Sequence, residues 1–175
     1  MHTRYPPRVY YDNPDLQEFV RWLAATPASQ WLQAVSTDVP VLLASVQTLH
    51  LLGMSVVIAA NGFVAIGLLG GLRTGEALER LSRQVLPWVM TALGVMLVTG
   101  IILIVRWPRR ILLSAAFVPK LVLVAFGIAL LLYIERMQGS HHGLRARTPA
   151  ATALGILLLL TWTGAVVAGR WIPFA

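Results

Sequence analysis

His50 is the side chain best suited to chemistry in this sequence. It stands in the run Val39 to Leu72, which carries no charged residue before its end. A neutral imidazole can ligate the iron of a b-type haem, relay protons or contact a quinone. It can equally serve as a hydrogen-bonded joint between helices. Gln47, His50, Met54, Val57 and Asn61 follow steps of three and four, so they share one face of a helix. A polar stripe on an otherwise apolar spanning helix is expected to face a bundle interior and not lipid. Gln47, His50, Met54 and Asn61 are therefore taken as candidate cofactor-binding residues, with His50 as the candidate metal ligand. The plainer reading of Gln47 and Asn61 is hydrogen bonding between helices.

Lys120 is the lysine of the chain and lies inside a second apolar run, Ser114 to Glu135. It completes the candidate set. An ammonium there has two readings: it meets an anion such as a haem propionate or a quinone oxygen, or its stem lies in lipid while its head reaches the interface. His50 lies roughly 16 Å into its helix and Lys120 roughly 9 Å into its own, at about 1.5 Å per residue. Their helices are separated by one crossing and run in the same direction, so both residues belong to the same half of the membrane. His141 and His142 adjoin each other in a basic, glycine-flanked loop and read as surface histidines more than as a metal site.

Composition excludes several other chemistries. The chain has 175 residues, 57% hydrophobic and 12% charged, which marks a polytopic membrane protein. The net charge of +7 does not indicate nucleic acid, because the arginines are distributed between apolar runs and form no long basic block. There is no cysteine, which removes disulfides, thiolate metal sites and covalent haem attachment. The methionines lack a clustered copper-thioether spacing. The first apolar run begins at Val39 and is expected to act as an uncleaved signal-anchor.

The elements that must position these residues follow from the punctuation of the chain. Residues 1–38 are polar and aromatic. An extended arm is expected up to Tyr11, then one or two short helices from Leu16, begun by Asn13-Pro14 and lying on the membrane surface. A lid packed on the bundle or on a partner subunit is the alternative. Residues 39–175 form the membrane domain, with spans expected at about 39–70, 84–105, 114–135 and 149–171. Asp38 is a candidate cap of the first span and Gly70-Gly71 its end. Glu76–Arg80 and Glu79–Arg83 are spaced as helical pairs that extend the second span toward water, and Pro87 is expected to kink its first turn. Thr91 and Gly94 mark a small face for close packing, as do Gly164 and Ala168 on the fourth span. Ser114 is expected to cap the third, and Glu135 and Arg136 to end it at the interface.

These features define an all-α, integral membrane, antiparallel four-helix bundle of consecutive neighbours, with an N-terminal interfacial helical segment. Loops one and three hold Arg73, Arg80, Arg83, Arg136, Arg145 and Arg147, against Arg106, Arg109, Arg110 and Arg170 near the spans on the other side. The positive-inside bias then puts both termini outside the cytoplasm.

The runs QTLHLLGMS, RQVLPWVM followed by TGIIL, SAAFVPKLVLVAFGIALLLY and the ending AVVAGRWIPF resemble a family of small, uncharacterised four-helix proteins of the bacterial inner membrane. The resemblance covers about Leu42 to Phe174. It extends more remotely to copper-resistance D-type membrane domains and to the four-helix haem-binding protoporphyrinogen oxidase. It implies weight at His50, Arg83, Pro87, Lys120, Gly169 and Arg170. Relatives tend to carry a histidine near the end of helix three, where this chain has Tyr133, Ile134 and Glu135. Bis-histidine haem ligation then lacks its second partner unless His141 or His142 reaches back.

The sequence thus leads to a membrane subunit associated with haem or quinone in respiratory redox chemistry, non-catalytic by itself, in contact with lipid and with other subunits or its own copy. The alternatives are a structural or accessory subunit without its own cofactor and, by resemblance alone, copper handling.

Overall fold

The computed structural model describes residues 13–71, 75–138 and 148–172. The arm up to Tyr11, the His141-His142 pair and the loop arginines Arg73, Arg145 and Arg147 lie outside the described residues. So do the side chains of Glu76 and Glu79.

Two short helices precede the bundle. In α1 (Pro14–Ala25), the Asn13 side chain accepts from the Asp15 and Leu16 amides at 3.0 and 3.3 Å, with proline in the first turn. Thr26 closes α1 and caps α2 (Pro27–Asp38) through the Ser29 amide at 3.3 Å, again with proline following. Proline costs nothing at these positions because first-turn amides have no helical acceptor. Both helices pack toward the bundle end made by α4 and α5.

The remaining helices are α3 (Pro40–Ile66), α4 (Gly75–Arg106), α5 (Pro108–Leu112), α6 (Phe117–Gln138) and α7 (Pro149–Trp171). Four segments are long and apolar enough to cross a membrane: Pro40–Gly70, Arg83–Arg106, Phe117–Met137 and Pro149–Trp171. Their outward faces carry large apolar side chains, with Trp88 at 70%, Leu97 at 66% and Leu160 at 64% exposure. Apolar exposure on this scale, continuous along several helices, is what a bilayer covers. The protein is a multi-pass, all-α membrane bundle.

Several boundaries differ from the sequence reading. Val39, with no side-chain cap, precedes α3, while Asp38 closes α2. Asp38 is still the last helical residue of α2, so the cap position of α3 falls on Val39. A π-helical turn (Gly67–Gly71) ends the first span, and Gly70 takes φ 101°, a left-handed conformation that favours glycine. As expected, the helix of the second span extends toward water, α4 starting at Gly75, and Pro87 lies inside it. The third begins at Phe117, because Ser114 caps a turn instead, its Oγ accepting from the Ala116 amide at 3.3 Å. Lys120 therefore stands in the first turn of α6. α6 runs three residues past Glu135 to Gln138; Glu135 is half-buried, with one enclosed oxygen that has no partner among the described residues, and Arg136 is exposed.

Packing is not uniform among consecutive neighbours. α3 lies along α4, α6 along α7, and α3 against α7, whereas α4 and α6 meet only sparsely. The structure is thus two hairpins joined through α3 and α7. Close approach is made at Gly53, where a Cβ would meet Met96 Cγ at 2.8 Å and the Ala92 carbonyl at 3.3 Å. Gly155 makes the second such contact, with the Ala65 carbonyl 3.1 Å from its Cβ position. The expected small face at Thr91 and Gly94 is not used: Thr91 is exposed and nothing lies within 4 Å of a Cβ on Gly94. Gly164 does meet a neighbour, Leu123 at 3.3 Å.

Candidate functional site: His50 and Lys120 between the spans

Thr99 is the polar residue that fixes His50. It is 5% exposed on α4, and its hydroxyl donates to its own helix, to the Val95 carbonyl at 2.7 Å with the Met96 carbonyl at 3.2 Å. This back-bonding spends the one hydroxyl proton and leaves oxygen lone pairs. His50 Nδ1 lies 2.9 Å from that oxygen. With the hydroxyl proton committed, Nδ1–H is the donor and Nε2 carries the lone pair. The Met96 carbonyl, a second acceptor, also lies against the ring.

Glycines adjoin the two residues at ordinary van der Waals distance. The Cε1 edge of His50 is 3.5 Å from the Cβ position of Gly100 on α4. The Lys120 side chain runs over Gly169 of α7, with Cε at 3.4 Å and Nζ at 3.5 Å from the Cβ position there. His50 on α3 and Lys120 on α6 each lie beside a glycine of another span, Gly100 of α4 and Gly169 of α7. All four spans thus contribute: α3 the imidazole, α4 its acceptor and a glycine, α6 the ammonium, α7 the glycine beneath it. Both titratable groups are half-buried.

The other candidates divide. Asn61 is buried at 2% exposure, but its amide donates to its own helix, to the Val57 carbonyl at 2.8 Å, and its Oδ1 has no partner among the described residues. Asn61 therefore does not join helices by a direct bond. Met54 is half-buried one turn beyond His50. Gln47 is exposed, which corrects its assignment to the inward stripe. It sits at the edge of the shared face, and α3 turns that edge outward where α4 covers only the Gly53 and Val57 side.

Thr99 and Gly100 were within the TGIIL run but carried no assignment in the sequence. The signal available was a threonine and a glycine at the depth of His50 on the adjoining span. Trp162 was also missed; it is 5% exposed, its indole lies over Gly127, 2.9 Å from the position a Cβ would take there, and its Nε1 has no partner among the described residues.

The donor set suits a single axial ligand. Nδ1–H held by a fixed acceptor orients the imidazole and raises the basicity of Nε2, as outer contacts of metal-ligating histidines do. Among the described residues no group of three or more His, Asp or Glu is arranged to hold a metal ion by itself. No protein-family model, curated protein or solved structure matches the chain.

Proposed function

We propose that the protein is a membrane subunit of respiratory redox chemistry that receives a haem or a quinone at His50 and Lys120. The observation that carries this reading is a half-buried imidazole held through Nδ1 by Thr99, in a bundle that also half-buries the Lys120 ammonium against Gly169. For haem, His50 would hold the iron through Nε2 and Lys120 would pair with a propionate carboxylate. For quinone, the ammonium donates to a carbonyl oxygen and Nε2 accepts from the hydroxyl of the reduced form. Bound there, either group supplies electron transfer, while the chain orients it, offsets its charge and keeps it from bulk water. The site belongs to the bacterial inner membrane, with both termini on the non-cytoplasmic side, a sidedness that rests on the arginine distribution. Partners are other membrane subunits or a second copy.

The absorption spectrum of purified protein, with solvent extraction of bound quinone, tests the proposal. A Soret band or a stoichiometric quinone is expected. His50→Ala should abolish either, and Lys120→Ala should weaken retention without removing the ligand nitrogen.

The His50–Thr99 bond supports a second reading, a structural subunit in which the imidazole joins α3 to α4. Colourless, metal-free and quinone-free protein that keeps its assembly after His50→Ala would favour that role.

A further inference from the structure

A groove of about 360 Å³ opens between α2, the start of α3 and the end of α4. Trp31 and Leu32 form one wall, Leu43 and Val46 the second, Ile102 and Val105 the third. Its surface is almost wholly apolar. It descends from the Arg106 level by about 6 Å, the rise of four helical residues from Val105 toward Ile101. The only polar side chain in its wall is Ser36, at the rim.

Ser36 holds Arg106. The Arg106 Nε donates to Ser36 Oγ, and the guanidinium also lies over the Trp107 ring, 5.3 Å from its centroid. Arg106 makes no ion pair among the described residues, although Asp38 lies two residues beyond Ser36. The terminal fork of the guanidinium is therefore fixed at the rim with no carboxylate to match it. Arg109 and Arg110 follow in the same basic turn and are exposed.

We propose that this groove is a binding site for one anionic phospholipid, its phosphate on Arg106 and the upper part of an acyl chain between α2, α3 and α4. The two halves of the site match the two halves of the ligand. A guanidinium presents a donor fork shaped for phosphate oxygens, and a narrow apolar trough at the head of a spanning helix fits a chain but offers nothing to a polar solute. Ser36 holds Arg106 in place, so the cation loses little freedom on binding. The site is separate from His50 and does not depend on the redox reading.

Native mass spectrometry of the full chain, released from detergent with equimolar palmitoyl-oleoyl phosphatidylglycerol and phosphatidylcholine, tests it. Retained phosphatidylglycerol adducts should exceed phosphatidylcholine adducts several-fold. Arg106→Gln should bring the ratio near one, and Arg106→Lys should keep part of the preference. Ile102→Trp, which fills the trough and leaves the cation, should lower adducts of both lipids at least twofold. Free glycerol phosphate should not displace the lipid. Equal retention by the native protein overturns the proposal, as does a preference unchanged in folded Arg106→Gln. Displacement by glycerol phosphate would replace it with a soluble-phosphate site. If Arg106→Gln does not fold, undiminished adducts in Ile102→Trp overturn the groove by themselves.

Discussion

The two ends of the bundle are built differently. At the end away from α1 and α2, Val57, Val64 and Leu68 of the first span pack with Val89 of α4, Leu131 and Ile134 of α6 and Leu158 of α7. This cluster is apolar, and all of these residues are fully or almost fully enclosed. That half also encloses the single amide Asn61 between Val57 and Val64, whereas at the arm end the enclosed polar groups are Ser29, Ser36, Thr99 and Ser114, beside the apolar Val20. Helices there are tied by polar contacts: His50 to Thr99, Ser29 Oγ to the Val105 carbonyl at 2.8 Å, and Arg106 to Ser36. In lipid the apolar end gains cohesion from close packing, since tails are as apolar as the side chains they replace. At the arm end the donors pair with a hydroxyl or a backbone carbonyl of a neighbouring helix. One half is held mainly by apolar packing, and the other half-buries His50 and Lys120, with Gly100 and Gly169 beside them.

The largest effect should come from breaking the apolar end. Leu131→Ala removes an enclosed side chain and should cost about 2–5 kcal/mol, read by denaturant titration in detergent. Any cofactor signal of the folded fraction should stay unchanged, and a lost signal there would mean that the two ends are not separable.

Thr99→Val is next. It keeps the shape and deletes the acceptor for His50 Nδ1–H. Cofactor affinity should fall about 10–100-fold, as when outer partners of ligating histidines are removed. A titration with haem or quinone reads it, and an unchanged affinity would reduce Thr99 to packing.

Ser29→Ala should cost about 0.5–1.5 kcal/mol. It frees the Val105 carbonyl and the Gln33 amide, which donates to Ser29 Oγ at 3.0 Å. Faster protease cleavage between α2 and α3 would report that α2 has loosened from the bundle, and unaltered cleavage would show that the hydroxyl does not hold it.

The smallest effect is expected at Asn61→Leu. Its Oδ1 has no partner among the described residues, so replacing the amide by a similar apolar volume should be neutral or slightly stabilising, within about 1 kcal/mol. A loss of several kcal/mol would show that Oδ1 has a polar partner in the membrane.

Much of this arrangement was legible from residue types. Long charge-free runs require helices, because a backbone in hydrocarbon must satisfy its own hydrogen bonds. Asn13-Pro14 and Thr26-Pro27 start helices for reasons confined to a few residues, and Gly70-Gly71 ends one for the same kind of reason. The helical period grouped His50 with Val57 and Asn61 on one side of α3. It also included Gln47, since period alone does not say where the next helix stops covering a face.

What the sequence by itself determined was the number of spans, their approximate limits and the presence of one histidine and one lysine at related depths. Those properties depend on solvation and on neighbours close along the chain. Only the tertiary structure decided that α3 joins both hairpins, that Gly53 and Gly155 make the close contacts while Gly94 does not, and that Thr99 holds the proton of His50. Each of these depends on the rotation of one helix about its axis relative to another. That rotation is set by side chains meeting across the bundle, far apart in sequence, and no local pattern encodes it.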